Sequence, residues 1–434
     1  MKFALPLAAA AILYAQAGPD PDVVLRQTRA RLQAMARSLE RYVCVETVDR
    51  AYYVRVVPRD APPRPGPEPA CAPAAAPGPL QLESTDRVHF EVTLSGGREL
   101  HSWPGATRFD NRRVDDLVGD GPVATGAFGA YLGSVFNRPE VAFHFNGQRT
   151  VNGKTVFEYR YRAPLEGSRF DVKVNSAWLP AGYEGEFQID PESLELERLT
   201  IRTTQLPPGA TFCQAAATLD YQPVHIGDRD VLLPTRSQME FVLDNGRQTR
   251  NTTSFTKCRE YQAESEITFD APPDISSTAA RSGGRGRIAL PIGLPVTLAL
   301  AEPIDTATAA AGDPIAARVV KPVRRPGSTE DLIPAGAMVY GRLRRVEHHV
   351  QSPAYFLVMI AYNRVDVQGA VSPFVARSDA GAEQAKELGA NLEMRDTGIR
   401  FWGVGTFVFP TGKPEIVIPA GFQSKWFTLA TGGR

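Results

Sequence analysis

Residues Thr125 to Phe136 read "TGAFGAYLGSVF" and interrupt a neighbourhood that otherwise alternates like β-strand. Ala124, Ala127, Phe128, Tyr131, Leu132, Val135 and Phe136 fall at helical spacing on one face, while Gly126, Gly129 and Gly133 mark the other. The spacing predicts a short apolar helix over 124–136 inside a sheet protein. Each glycine costs about 1 kcal/mol in a helix relative to Ala, so the helix is marginal. Two readings stand side by side. Small residues permit close packing, which suits a core plug. A marginal helix is also easily displaced, which suits a lid.

Outward from this helix the pattern has period two. Strands are expected at 42–57, 81–95 and 98–103 before it, and at 139–147, 153–163, 167–176, 180–190, 194–206, 211–222, 230–244 and 248–262 after it. That is a sheet of about eleven strands. Short turn signals such as Gly96-Gly97, Asn152-Gly153 and Asn245-Gly246 separate them, which implies an antiparallel meander. A second helix opens the chain. Asp20 is a capping residue, Pro21 suits the first helical position, and Leu25, Leu32, Met35, Ala36 and Leu39 follow at helical spacing. Between the first two strands, residues 58–79 hold nine prolines and form an extended excursion rather than helix or central strand.

Lys2, the apolar run from Phe3 to Tyr14 and Ala15-Gln16-Ala17 have the form of a signal peptide over 1–17, with cleavage before Gly18. The apolar run is shorter than the roughly 20 residues of a membrane span, and no transmembrane segment is expected. The mature protein is therefore expected to be periplasmic or secreted. Cys44, Cys71, Cys213 and Cys258 fit an oxidising compartment as two disulfides. A hairpin at Asn245-Gly246 places Cys258 opposite about Leu233, and the Gly227-Asp228 turn places Cys213 opposite about Phe241. Those places are roughly 26 Å apart along the sheet, beyond the ~7 Å that a disulfide spans. Crossed pairings are favoured, with Cys44–Cys258 and Cys71–Cys213 ahead.

Residues 271–287, "APPDISSTAARSGGRGR", read as a linker between a first domain at 18–270 and a second at 288–434. The second domain is again strand-rich, at Val296–Leu300, Pro314–Val320, Met338–Val346, Tyr355–Val367, Thr406–Phe409 and Ile416–Ile418, with one short helix at 380–395. The 434 residues, 43% hydrophobic and 22% charged, have a globular composition. Lys+Arg and Asp+Glu are 48 each, so no basic surface for nucleic acid is expected.

No HExxH, GxSxG, Walker loop or dinucleotide-binding GxGxxG occurs, and no catalytic residue, metal site or cofactor is assigned. His348-His349 is the one adjacent histidine pair; strand neighbours point to opposite faces, which reads as a solvated strand end. Asp115-Asp116 and Asp228-x-Asp230 are placed in turns. Trp103 in "HSWPG" reads as a core plug at a strand end, with a sugar-stacking platform as the other reading.

A helix, an antiparallel meander and an inserted helix, behind an export signal, resemble the LolA-like carriers of lipids and lipoproteins over residues 20–270. That resemblance implies a mainly β fold with a curled sheet whose concave face holds an acyl chain under helical lids. Trp103, Phe128, Tyr131, Leu132 and Phe136 would then touch the ligand. "AAGDPIAARVVKPV" (Ala310–Val323) followed by "LIPAGAMVYGRLRRV" (Leu332–Val346) resembles the TrbI/VirB10-like β-barrel of envelope transport components. There Pro334 and Gly336 would set a turn, and Gly341 would allow a bulge or close approach. The resemblance implies a barrel-like module that takes a protein partner. The expected protein is a non-enzymatic envelope protein that binds an apolar ligand, a partner or both. The alternatives are a hydrolase of envelope polymers with unrecognised carboxylates, and a structural scaffold.

Overall fold

The computed structural model describes residues 18–56, 71, 78–106, 109, 113–118, 121–166, 168–175, 177–227, 229–261, 290–381, 386, 387 and 403–430. The expected signal peptide, the 271–287 linker and most of the Pro-rich loop and of the 380–395 helix lie outside the described residues. Helix α1 runs from Pro21 to Ser38; the Asp20 side chain accepts from the Asp22 N–H, and Pro21 opens the helix. Its fully buried stripe is Val24, Thr28, Leu32 and Ala36, with Leu25 and Met35 only half-buried, so the helix is rotated from the stripe expected.

Twelve strands follow: β1 (Tyr42–Arg55), β2 (Leu80–Ser95), β3 (Arg98–Ser102), β4 (Ala142–Val151), β5 (Lys154–Ala163), β6 (Asp171–Val174), β7 (Ala177–Pro180), β8 (Gly182–Ile189), β9 (Leu196–Gln205), β10 (Phe212–Ile226), β11 (Arg229–Leu243) and β12 (Gln248–Glu260). Ten of them form one antiparallel sheet in the order β3-β2-β1-β12-β11-β10-β9-β8-β5-β4. The meander closes back on itself by setting the first strand beside the last, and β3 and β4 are the two ends. Asn152 and Gly153 both take positive φ, 50° and 80°, as a two-residue hairpin requires.

Two expectations shift. Residues 167–190 hold three strands rather than two, because Asn175 adopts a left-handed φ of 54° and folds β6 onto β7 as a separate hairpin. Strand β4 starts at Ala142 and runs on to Val151, because Gly147 sits at a bulge within it rather than at its end.

Between β3 and β4 come α2 (Val114–Val118) and α3 (Ala130–Phe136). The inserted helix is thus seven residues long, not thirteen. Gly126 has φ +102° and turns the chain, so the helix cannot run back to Ala124.

In the second half lie β13 (Pro295–Leu300), β14 (Ile304–Asp305), β15 (Pro314–Val319), β16 (Val323–Arg324), β17 (Asp331–Ile333) and β18 (Met338–His349). After these come β19 (Tyr355–Val367), β20 (Ala370–Pro373), β21 (Ala376–Arg377), β22 (Val404–Pro410), β23 (Val417–Ile418) and β24 (Gln423–Thr428). Pairings run β24-β13-β15-β18-β19-β22, and β21 pairs with β24. A single bridge, Ser378 with Gly405, completes the circuit, so among the described residues no continuous ladder closes a barrel. Gly341 sits at a register shift, and a side chain there would strike the Ala361 carbonyl; Gly336 turns at φ +85°. Both glycines serve as expected.

Each half has its own apolar core, one built on Val24, Leu94, Phe136, Phe187 and Leu199, the other on Val296, Val339, Val358 and Trp426. They meet along β2, whose outer edge is shared in three parts. Ser84–Asp86 pairs with β18, Val88 bridges Ala311, and Glu91–Ser95 pairs with β3. Among the described residues no helix is long and apolar enough to cross a membrane.

Candidate functional site

One face of the ten-stranded sheet, the inner face, carries α1 and α3. The lining comes from alternation. Phe157, Tyr159, Tyr161 and Ala163 of β5 share it with Tyr183, Phe187 and Ile189 of β8 and with Ala215, Ala217, Leu219 and Tyr221 of β10. Aromatic rings dominate. Phe187 packs 5.1 Å from both Phe136 and Tyr159, and Phe136 stacks on Phe143 at 6.1 Å.

Four of the five ligand-binding candidates come together here. Phe128, Tyr131, Leu132 and Phe136 are buried under or within α3, against Phe255, Phe170 and Phe187. Trp103 is not with them. It stacks on Phe90 at 5.5 Å in a neighbouring cluster with Val114, Leu117 and Ala311, and the Arg344 guanidinium lies 5.1 Å over its ring. Trp103 therefore plugs the seam between the two halves.

Polar groups hold α3 at both ends. At its start the Glu99 carboxylate, on β3, accepts the N–H groups of Gly126 (2.5 Å), Gly129 (3.0 Å) and Ala130 (3.4 Å). At its end Arg29 and Gln33 of α1 donate to the Phe136 carbonyl, at 3.3 Å and 3.1 Å. A hydrogen-bond acceptor at the first turn and a cation at the last suit the polarity of the helix ends. The Tyr183 hydroxyl donates to the Ser134 carbonyl at 2.7 Å, and burial pushes this phenol up to about 12. Burial also raises Tyr131 and Tyr221, so both stay neutral hydroxyls.

Glu99 belongs to a buried cluster that sequence reading missed. Its side chain is 3% exposed, and those of His101 and Glu46 are 4% and 1% exposed. His101 Nε2 lies 3.0 Å from Glu46 Oε2 and 4.0 Å from Glu99 Oε2. Burial and then the Glu46 charge raise Glu99 above the usual carboxylate value. Burial pulls His101 down, but the two carboxylates outweigh it and hold the imidazole above its ordinary value. The signal was the Glu-Leu-His alternation of 99–101, but its inward direction depends on the pairing of Glu99 with Leu94.

A cleft of about 500 Å³ opens where the halves meet, lined by Asp49, Arg50, Asp86, Arg87, Arg250 and Glu415 among others. Arg50 grips Asp86 through two nitrogens at 2.7 Å, Arg87 pairs with Asp49 at 2.6 Å, and Arg250 with Glu240 at 2.9 Å. These pairs neutralise charge within the first half's wall, and Arg87 also donates to the Ala307 carbonyl of the second half at 2.5 Å.

The remaining candidates are structural. His348 and His349 do face opposite ways but are not a solvated end: they stack on Phe356 and Tyr355 at 4.3 Å each, where β18 joins β2. Asp115 sits in α2 rather than in a turn and pairs with Lys173. Asp230 pairs with His225 at 3.0 Å, and Asp228 lies outside the described residues. Cys44–Cys258 and Cys71–Cys213 are the disulfides.

No protein-family model and no curated protein matches the chain by sequence. Three similar solved structures cover a little over half of it. One is a domain assigned to outer membrane lipoprotein sorting from Vibrio parahaemolyticus, 11% identical, covering 57% of this chain and 97% of its own, with a TM-score of 0.27. Another is a DUF1329 family protein from Desulfovibrio piger, 11% identical, covering 58% and 98%, with a TM-score of 0.29. The third is a LolA superfamily protein from Nitrosomonas europaea, 8% identical, covering 54% and 93%, with a TM-score of 0.24. Likenesses of this size decide nothing about activity.

Proposed function

We propose that this is an exported, non-enzymatic envelope protein whose first domain takes an apolar chain, such as a lipid acyl group, onto the inner face in place of α3. The observation that carries this reading is the way α3 is held. Its body is apolar and fills an aromatic-lined face, while polar side chains from other elements fasten its ends. A seven-residue helix has little stability of its own and depends on these contacts. An acyl chain can replace Leu132 and Phe136 against Phe143, Phe187 and Tyr159 without exposing that face to water. Two disulfides support residence in an oxidising compartment. The second domain, locked to the first through β2, is proposed to carry a protein partner. The hydrolase alternative gains little. The buried carboxylates brought together are Glu46 and Glu99, and Glu99 is engaged by backbone N–H groups.

The test is uptake of cis-parinaric acid by the purified protein, together with mass spectrometry of lipid extracted from protein exported by cells. Saturable uptake near one equivalent, with lipid co-purifying, supports the reading. No uptake and no co-purified lipid overturns it.

A further inference from the structure

We propose that Glu99, backed by His101 and Glu46, is a proton-retaining latch: it keeps α3 seated on the inner face, and the cover opens as the cluster loses its proton. This rests on the reading of 126–136 as a displaceable cover.

Glu99 is placed to be a latch. Both of its oxygens face the 126–130 turn, Oε2 toward the Gly126 N–H and Oε1 toward those of Gly129 and Ala130. The N–H groups of Gly129 and Ala130 are ones that a helix start leaves without an intrahelical partner, and that of Gly126 belongs to the turn before it. Side-chain capping from a different strand ties the turn to the sheet, so α3 cannot lift while the three contacts persist.

The support for Glu99 depends on a proton. His101 Nε2 faces Glu46 at 3.0 Å and Glu99 at 4.0 Å, so one imidazole edge serves two carboxylates. The titratable groups facing Glu99 are Glu46 from β1, His101 from its own strand, Tyr131 from α3 and Tyr221 from β10. Its cross-strand neighbour on β2 is Leu94, and Glu46 is flanked by Phe90 and Phe255. With His101 protonated, its charge stands beside both carboxylates. Once that proton leaves, two carboxylates share an apolar enclosure with no cation between them, and such charges are strongly disfavoured. Lifting α3 admits water to Glu99 and relieves this.

The sign follows from linkage. The closed cover holds Glu99 and His101 above their ordinary values, and hydration in the open state returns them toward those values. The closed state therefore binds more protons. Closure is fully supported below the ordinary values, about 6.5 for an imidazole, and is lost as pH rises through the retained values above them. Acid seats the cover and alkali releases it. By the same linkage, a ligand that lifts α3 expels a proton.

The experiment is amide hydrogen exchange of the ligand-free protein from about pH 6 to about pH 9, corrected for the intrinsic exchange rate. Protection of Gly126, Gly129, Ala130 and the α3 amides is expected to fall with pH, by up to about tenfold per unit for each proton released, while that of Phe187 on β8 and Leu199 on β9 stays level. Glu99→Gln should lower protection at Gly126 and Gly129 and remove the pH slope. His101→Gln should remove the slope with Glu99 still in place, so the proposal stays open to refutation if one variant folds poorly. A level wild-type profile, or a slope that survives both substitutions, overturns the latch. Uptake of cis-parinaric acid is read separately. Uptake with level protection sinks the latch alone; a slope without uptake keeps the latch and sinks the carrier reading.

Discussion

Cys44, on the first strand of the sheet, is bonded to Cys258, on the last, with the Cα atoms 4.0 Å apart and a sequence separation of 214. The bond lies across the β1–β12 pair, the strand pairing of highest sequence separation in the ten-stranded sheet. Closing so long a loop in the unfolded chain removes much of its entropy, an effect of about 2–5 kcal/mol. The Cys44→Ala/Cys258→Ala double variant is therefore expected to unfold at a lower denaturant midpoint, by an amount in that range. An unchanged midpoint would mean that the β1–β12 ladder needs no covalent help.

Gly129 and Gly133 stand one turn apart in and beside α3 and should respond oppositely to the same substitution. A methyl at Gly129 would lie 2.9 Å from Leu39 Cδ1 and 3.3 Å from Leu94 Cδ2, and both leucines are buried. Gly129→Ala is expected to overpack this contact and cost about 1–3 kcal/mol. A methyl at Gly133 meets nothing within 4 Å. Gly133→Ala should stabilise the helix by about 0.5–1 kcal/mol. Thermal unfolding of the two variants decides it; equal shifts would mean that the glycine faces have been misplaced.

Gly312 ties the second half of the chain to β2. Its φ is +103°, and an added Cβ would lie 2.5 Å from the His89 carbonyl and 2.6 Å from the Trp103 ring. Next to it, Asp313 bonds His89 Nδ1 at 2.7 Å and accepts the Ala310 N–H at 2.8 Å. Gly312→Ala is expected to force this loop off β2 at a cost of roughly 1–3 kcal/mol, since both backbone and space forbid the side chain. Loss of docking should appear as two unfolding transitions, or as faster protease cleavage near 307–312, with each half still folded. A single, unshifted transition would sink the claim that this contact joins the halves.

Much of the scaffold was legible because it depends on local chemistry. Asp20-Pro21 opens a helix, Asn152-Gly153 turns a hairpin, and Tyr355–Val367 has the boundaries expected, since each signal sits within a few residues. The site was only partly legible because it depends on pairing. Helical spacing gathered Phe128, Tyr131, Leu132 and Phe136 correctly but could not sense that Gly126 turns at positive φ, so the helix was drawn six residues too long at its start. Trp103 looked like a fifth member, yet the register of β3 on β2 carries it beside Phe90 instead. Glu99 and His101 carry no local signal of burial; the register of β3 on β2 turns them inward.

The end of α3 offers a test that separates cover from plug. Arg29 donates to the Phe136 carbonyl through two nitrogens at 3.4 Å and 3.3 Å, Gln33 donates to the same oxygen at 3.1 Å, and the Arg29 guanidinium lies 4.8 Å over the Phe143 ring. Arg29→Met with Gln33→Met keeps side-chain bulk on α1 but leaves that carbonyl to water, a change of about 1 kcal/mol for hydrogen bonds of this length. If α3 is a cover, the cost is local: exchange of the Asn137 amide and of the α3 amides quickens, and uptake of cis-parinaric acid speeds up while the melting temperature barely moves. If α3 is a plug, its seat is part of the core, so the whole domain melts lower and no uptake is gained. Measuring exchange, uptake and melting on one preparation of the double variant makes the two outcomes exclusive. Global destabilisation without faster uptake would return α3 to ordinary core.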